Sequence, residues 1–91
     1  MYLTGQLVCR DEDEARIVAD QLAEHTALTR GERGCILFEV TPTADPLVWD
    51  VEERFESEQA FTAHQERVAA STWGQRTEGI ERRYSVQGLS H

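Results

Sequence analysis

His64 is the side chain in this sequence best suited to acid–base chemistry. It follows Ala60 and Phe61 and precedes Val68, and these steps of three and four residues place all four on one face of a predicted helix. An imidazole on such an apolar face can exchange protons near neutral pH. The alternative is a core histidine bonded to a carbonyl group, and the spacing alone does not separate the two.

Glu53 is the second candidate, because it alternates with apolar residues in a predicted strand. Val51, Glu53 and Phe55 fall on one side of that strand, so the carboxylate is predicted to point inward. A buried carboxylate needs a partner, and Arg82, Arg67 or a backbone donor could supply it. Such a pair could orient His64, or it could be a structural ion pair.

Aromatic side chains could form a slot for a flat ligand, since small-molecule sites are mostly apolar with a few polar groups. Tyr84 could donate a hydrogen bond to an oxyanion or could simply pack at an interface. The remaining candidates could equally belong to the core, and they are Phe38, Trp49, Phe55 and Trp73.

The sequence shows no motif for binding a metal or a phosphate-bearing cofactor. The acidic run at residues 11–14 opens a predicted helix, where negative charge meets the positive end of the helix dipole. Cys9 and Cys35 form no CxxC pair, and no Gly-rich phosphate loop is present. We therefore expect no metal and no cofactor. His25 lies near the end of the first helix, where a cation is favoured, and neither it nor the terminal His91 is assigned any chemistry.

Size and charge limit the class of protein. The 91 residues are 40% hydrophobic and 29% charged, which fits one domain over residues 1–91. The formal net charge of −8 opposes binding to nucleic acid. No apolar run is long enough for a membrane helix, and the start does not resemble a signal peptide. We expect a cytoplasmic protein without nucleic acid or membrane partners.

Hydrophobic periodicity predicts the element order β-α-β-β-α-β. The strands are expected at about residues 2–9, 35–40, 47–55 and 80–86, with one helix ending near residue 28 and another running from Ser57 to Trp73, where Gly74 interrupts it. This order predicts an α+β, ferredoxin-like fold with a four-stranded antiparallel sheet and both helices on one face. In that topology Cys9 and Cys35 lie at opposite ends of the sheet and are not bonded to each other.

The other sheet face is predicted to be covered by a second subunit. We expect Val48, Tyr84 and Val86 on this face, where they would form an exposed apolar patch. A chain this short also buries a limited share of its surface by itself. The sequence therefore predicts a homodimer.

Two segments resemble the antibiotic-biosynthesis monooxygenase-like family, a branch of the dimeric α+β barrel group. A Gly-Cys turn leads into a Phe-Glu-Val strand, and an acidic-x-aromatic strand end is followed by Ser-x-x-Ala-x-x-x-His. The matching residues are Gly34, Cys35, Phe38, Glu39, Val40, Glu53, Phe55, Ser57, Ala60 and His64. The resemblance implies a dimeric α+β barrel with a pocket between the helices and the sheet.

The resemblance also implies a reaction. A small aromatic quinol or phenol would be deprotonated and its anion would react directly with dioxygen, without a cofactor. The chain has no Asn, on which the polyketide oxygenases and haem-degrading members rely, and it has Phe55 where the haem-degrading type has Trp. The small quinol monooxygenase-like members are therefore a better comparison for this chain than the haem-degrading members. The alternative is a non-catalytic barrel that binds or senses a small apolar metabolite.

Overall fold

The fold is known from a computed structural model that describes residues 1–88, so His91 lies outside the described residues. The sequence-based order is confirmed, with one additional short helix before the last strand. The elements are β1 (Tyr2–Val8), α1 (Glu12–Arg30), β2 (Cys35–Pro42), β3 (Val48–Phe55), α2 (Glu58–Ala70), α3 (Thr72–Arg76) and β4 (Glu81–Gln87).

The four strands form one antiparallel sheet in the order β2-β3-β1-β4, as the ferredoxin-like prediction required. β1 and β2 run parallel to each other on either side of β3. Cys9 donates its backbone N–H to Leu47, before β3, whereas Cys35 pairs with Phe55 at the end of β3. Eight residues of strand separate these ends by roughly 26 Å, so the two free thiols cannot bond within one chain.

The strand register shows which residues face the helices. Leu3 and Leu7 of β1 are buried beneath the helices, and directly paired residues of an antiparallel sheet share a face. Val86 pairs with Leu3, and Tyr84 pairs with Gly5 between the two leucines. Tyr84 and Val86 therefore lie on the helix side of the sheet.

The expectation that Tyr84 and Val86 form an apolar patch on the bare face was wrong. Strand β4 has the sequence ERRYSVQ, with polar residues on one side and both polar and apolar residues on the other. Alternation therefore assigned Tyr84 and Val86 correctly to the same side of the strand, but it did not show which side faces the helices. Val48 does lie on the bare face, with mainly polar neighbours such as Gln6, Asp50 and Glu52. The homodimer stays a prediction, but an extended apolar patch on the bare sheet face no longer supports it.

Capping residues fix where the helices begin. Asp11 accepts a hydrogen bond from the N–H of Glu14 at the start of α1, and Ser57 accepts one from Ala60 at the start of α2. The helical region predicted to reach Trp73 instead breaks at Ser71, whose extended backbone ends α2. The Ser71 hydroxyl then accepts from the N–H of Gly74 and starts α3.

Gly74 therefore lies within α3 and does not end a helix. A Cβ at this position would lie 2.0 Å from the carbonyl oxygen of Val68. Only glycine lets α3 pack this closely against the end of α2. Among residues 1–88, no helix is both long and apolar enough to cross a membrane.

Candidate active site

A small cavity lies between the helices and the inner face of the sheet, where the family resemblance places a pocket. Its volume is about 40 Å³. Apolar side chains form most of the wall, and a few polar groups interrupt it. The cavity is lined by Leu3, Leu7, His25, Phe38, Val40, Val51, Glu53, His64, Gln65, Val68, Trp73, Arg82 and Tyr84.

Local structure in α2 places His64 in this cavity. Ser57 starts the helix, and Ala60 packs against Gly34, where a Cβ would lie 2.6 Å from the Cβ of Ala60. Gly34 also has a φ of +90°, a conformation that favours glycine. One turn after Ala60, His64 is 4% exposed and touches the ring of Phe55 at a centroid distance of 4.8 Å. In the Ser-x-x-Ala-x-x-x-His pattern, the serine therefore starts the helix, the alanine allows close packing against Gly34, and the histidine lies in the cavity.

Glu32 orients the imidazole of His64. Its Oε1 lies 2.7 Å from Nδ1 of His64, and its Oε2 accepts a 2.6 Å hydrogen bond from Nε of Arg67. Arg67 also donates to the hydroxyl of Thr29, which fixes the guanidinium. Arg67, Glu32 and His64 thus form a chain of charged hydrogen bonds from the surface to the cavity.

This arrangement selects the tautomer of neutral His64. The carboxylate of Glu32 accepts a hydrogen bond from Nδ1–H of neutral His64, so Nε2 carries the free electron pair. Nε2 lies on the side of Glu53, at 3.7 Å from its Oε1, and both of these residues line the cavity. Burial lowers the pKa of His64, while the hydrogen bond and charge of Glu32 oppose that shift. His64 is therefore a neutral base at physiological pH.

Glu53 points inward from β3, as predicted, but without the predicted partner. Arg67 pairs with Glu32 instead, and Arg82 donates its hydrogen bonds elsewhere. Oε1 of Glu53 is buried and has no hydrogen-bond partner within residues 1–88. Burial, with the nearby charge of Glu32, raises the pKa of Glu53 to about 7, although Arg82 acts in the opposite direction. Glu53 therefore exchanges a proton near neutral pH, next to His64.

Arg82 and Tyr84 reach the cavity from β4. The guanidinium of Arg82 donates to the carbonyl groups of Thr77 and Ile80 and to the Thr77 hydroxyl, at 2.8, 3.0 and 2.8 Å. Tyr84 lies across Gly5, where an added Cβ would approach its ring to 2.8 Å. Burial raises the pKa of Tyr84 to about 12, so its phenol stays protonated and can donate a hydrogen bond.

His25, which the sequence analysis assigned no chemistry, is a buried member of this site. Its ring stacks on Trp73 at 4.3 Å and meets the edge of Phe38 at 5.2 Å. Burial, with the positive charges around it, lowers the pKa of His25 to about 3, so it is neutral and not a helix-terminal cation. The available signal was its spacing from Val18 and Thr29, which continues the buried stripe of α1.

The predicted aromatic wall is present only in part. Phe38 and Trp73 line the cavity, whereas Phe55 supports His64 from behind and is not in the wall. Trp49 packs against the core further along β3 and does not reach the cavity. Glu32 was missed, because it lies in the turn between α1 and β2, where no periodicity indicates a direction.

A larger groove opens beside the cavity, at the surface between α2, α3 and β4. Its volume is about 360 Å³, and it shares Gln65, Val68 and Arg82 with the cavity wall. We call it the outer groove. Its lining is Gln65, Val68, Ala69, Gly74, Gln75, Glu78 and Arg82. Within residues 1–88, no group of three or more His, Cys, Asp or Glu side chains could hold a metal ion.

Solved structures with this fold come from several organisms. A candidate antibiotic biosynthesis monooxygenase from Nitrosomonas europaea superposes with a TM-score of 0.73 and 17% identity, over 99% of this chain and 100% of that one. A second such candidate, from Deinococcus radiodurans, gives 0.67 and 18%, over 100% and 96%. A Mycobacterium tuberculosis protein gives 0.69 and 17%, over 99% and 95%. The TM-scores show that these proteins share the fold of this chain, and identities this low show nothing beyond the fold.

Sequence comparison supplies the family. No curated protein matches the chain significantly. The profile of the antibiotic biosynthesis monooxygenase family, however, matches residues 8–76, which include α1, β2, β3, α2 and α3. The chain therefore belongs to the antibiotic biosynthesis monooxygenase family.

Proposed function

We propose that this protein is a cofactor-independent monooxygenase that acts on a small phenol or quinol. The observation that carries the proposal is the orientation of His64: Glu32 holds Nδ1 at 2.7 Å, and Nε2 is left as a free base beside the cavity. A general base held in this way is what deprotonation of a phenol requires. Family membership supports oxygen chemistry as the following step.

The first step is proton transfer. Nε2 of His64 takes the proton of the phenolic hydroxyl, and the imidazolium that forms lies 3.7 Å from Oε1 of Glu53. The ionised carboxylate of Glu53 stabilises that positive charge, as does Glu32 on the other side of the ring. The base is therefore flanked by two carboxylates, of which one fixes its tautomer and the other faces the reaction.

The second step is oxidation of the substrate anion by dioxygen. The anion transfers electrons to dioxygen and a carbon–oxygen bond forms at the ring, giving a ring-bound peroxide anion. Loss of the ring hydrogen and cleavage of the O–O bond leave one oxygen atom as a carbonyl group and release the other as water. A phenol and one dioxygen thus give a quinone and one water. The imidazolium returns its proton to the departing oxygen, which restores neutral His64.

Oxygen uptake with a panel of hydroquinones and naphthols tests this proposal. We expect uptake by the native chain and a loss of about 100-fold or more in His64→Ala, the usual range for removal of a general base. Thr62→Ala, an exposed residue of the same helix, is the control and should keep full activity. Activity should rise with pH as His64 loses its proton below 6.5, because burial lowers the pKa of this base, and should rise further as Glu53 ionises near pH 7.

Two results would contradict the proposal. One is full activity in His64→Ala, and the other is an activity that a chelator abolishes and one particular metal restores. Binding of these phenols without any oxygen uptake would favour the non-catalytic binding function instead. The homodimer and the cytoplasmic location stay predictions.

A further inference from the structure

The cavity beside His64 is too small for the ring of an aromatic substrate. Its volume is about 40 Å³, whereas a dry protein cavity that binds benzene measures roughly 150 Å³. A space of about 40 Å³ accommodates a water molecule or dioxygen. If His64 acts on a phenol, the ring must therefore lie mostly outside this cavity.

The outer groove is the space available next to it. Val68 follows His64 by one helical turn, and Ala69 follows Gln65 by one turn, so these four residues form a continuous surface of α2. That surface begins in the cavity with His64 and ends in the groove with Ala69. A volume of about 360 Å³ falls within the range of small-molecule sites.

The groove has the chemistry expected for an aromatic ring with hydroxyl groups. Val68, Ala69 and Gly74 supply apolar lining, the amides of Gln65 and Gln75 offer donors and acceptors, and the carboxylate of Glu78 is a further acceptor. Apolar lining suits the face of a ring, and these polar groups suit the hydroxyl groups at its edge.

Arg82 lies where the groove and the cavity meet. Its three hydrogen bonds to Thr77 and Ile80 hold the guanidinium in place without neutralising it, since carbonyl and hydroxyl oxygens carry no net charge. A fixed positive charge at this point stabilises an oxyanion that lies at the junction of the groove and the cavity.

We propose that the outer groove binds the ring of a one- or two-ring phenol, that Arg82 holds its ionised hydroxyl at the junction, and that dioxygen occupies the inner cavity. This inference rests on the proposed function and adds to it the place and the size class of the substrate.

Filling the groove with a bulky side chain tests the inference. Ala69→Trp on α2 and Gln75→Trp on α3 both place an indole in the groove from exposed positions. Ala63→Trp is the matched control, because Ala63 is also an exposed alanine of α2 and lines a separate surface groove of about 400 Å³. Binding of 2-naphthol under nitrogen is measured by NMR titration, and oxygen uptake is measured separately in air.

We expect Ala69→Trp and Gln75→Trp to weaken binding at least tenfold, with Ala63→Trp within twofold of the native chain. Far-UV circular dichroism checks that the variants are folded. Because the groove is blocked from two positions, the test still works if one of the two variants does not fold. Unchanged binding in both groove variants overturns the inference while the proposed function stands. Binding that the groove variants abolish, without oxygen uptake by the native chain, supports the groove and overturns the oxygenase.

Discussion

Replacing Glu53 with Gln should stabilise the protein at alkaline pH and not at acidic pH. The carboxyl group is 6% exposed, and its Oε1 has no hydrogen-bond partner within the described part of the chain. Burial raises its pKa from 4.5 to about 7. The folded protein therefore binds this proton more tightly than the unfolded chain, and stability is lost as pH rises from about 4.5 to about 7.

The size of the effect follows from that shift. Each tenfold change in proton affinity is about 1.4 kcal/mol, so a rise from 4.5 to about 7 makes ionised Glu53 cost on the order of 3 kcal/mol. Glutamine has nearly the same shape and does not ionise. The difference in unfolding free energy between Glu53→Gln and the native chain should grow by about this amount between pH 4.5 and pH 8, whatever constant offset the amide adds.

Urea unfolding at a series of pH values and one fixed protein concentration measures this difference. Other carboxylates titrate in both proteins and cancel when the two curves are subtracted. Glu52→Gln is the matched control, because Glu52 is the next residue of β3 on the opposite sheet face and accepts a hydrogen bond from Tyr2. It should show no such gain. A stability difference for Glu53→Gln that does not change with pH would refute the reasoning. A costly buried carboxylate is typical of functional sites.

Three further predictions concern other parts of the molecule. Glu32→Gln should lower the pKa of His64, since the Glu32 charge raises it, and NMR titration of the imidazole should show this together with a lower maximal rate; an unchanged titration would remove Glu32 as the positioning residue. Thiol titration of the unfolded, unreduced protein should find both Cys9 and Cys35 free in each chain, and an intramolecular bridge would contradict the strand order. Light scattering at micromolar concentration should give twice the chain mass, whereas a monomer would contradict the predicted dimer.

Local signals in the sequence were sufficient for the fold. Asp11 and Ser57 are short polar side chains that cap the helices following them, and strict alternation in β3 indicated its inward residues. These patterns depend on neighbours within a few residues, so the sequence displays them directly. The inward direction of His64 followed from the same kind of spacing.

What surrounds His64 depended on contacts between distant parts of the chain. Glu32 is 32 residues away and Glu53 belongs to another element, so no local pattern could pair Glu32 with Nδ1 and leave Oε1 of Glu53 without a hydrogen bond from any of residues 1–88. His25 looked like a helix-terminal cation until the packing of α1 against α3 buried it against Trp73. The sequence by itself determined the main elements and the inward faces of β3 and α2, because periodicity is local, but it left open which side of β4 points inward. Only the tertiary structure decided which charges meet, since hydrogen bonds and desolvation depend on distances that the chain order does not contain.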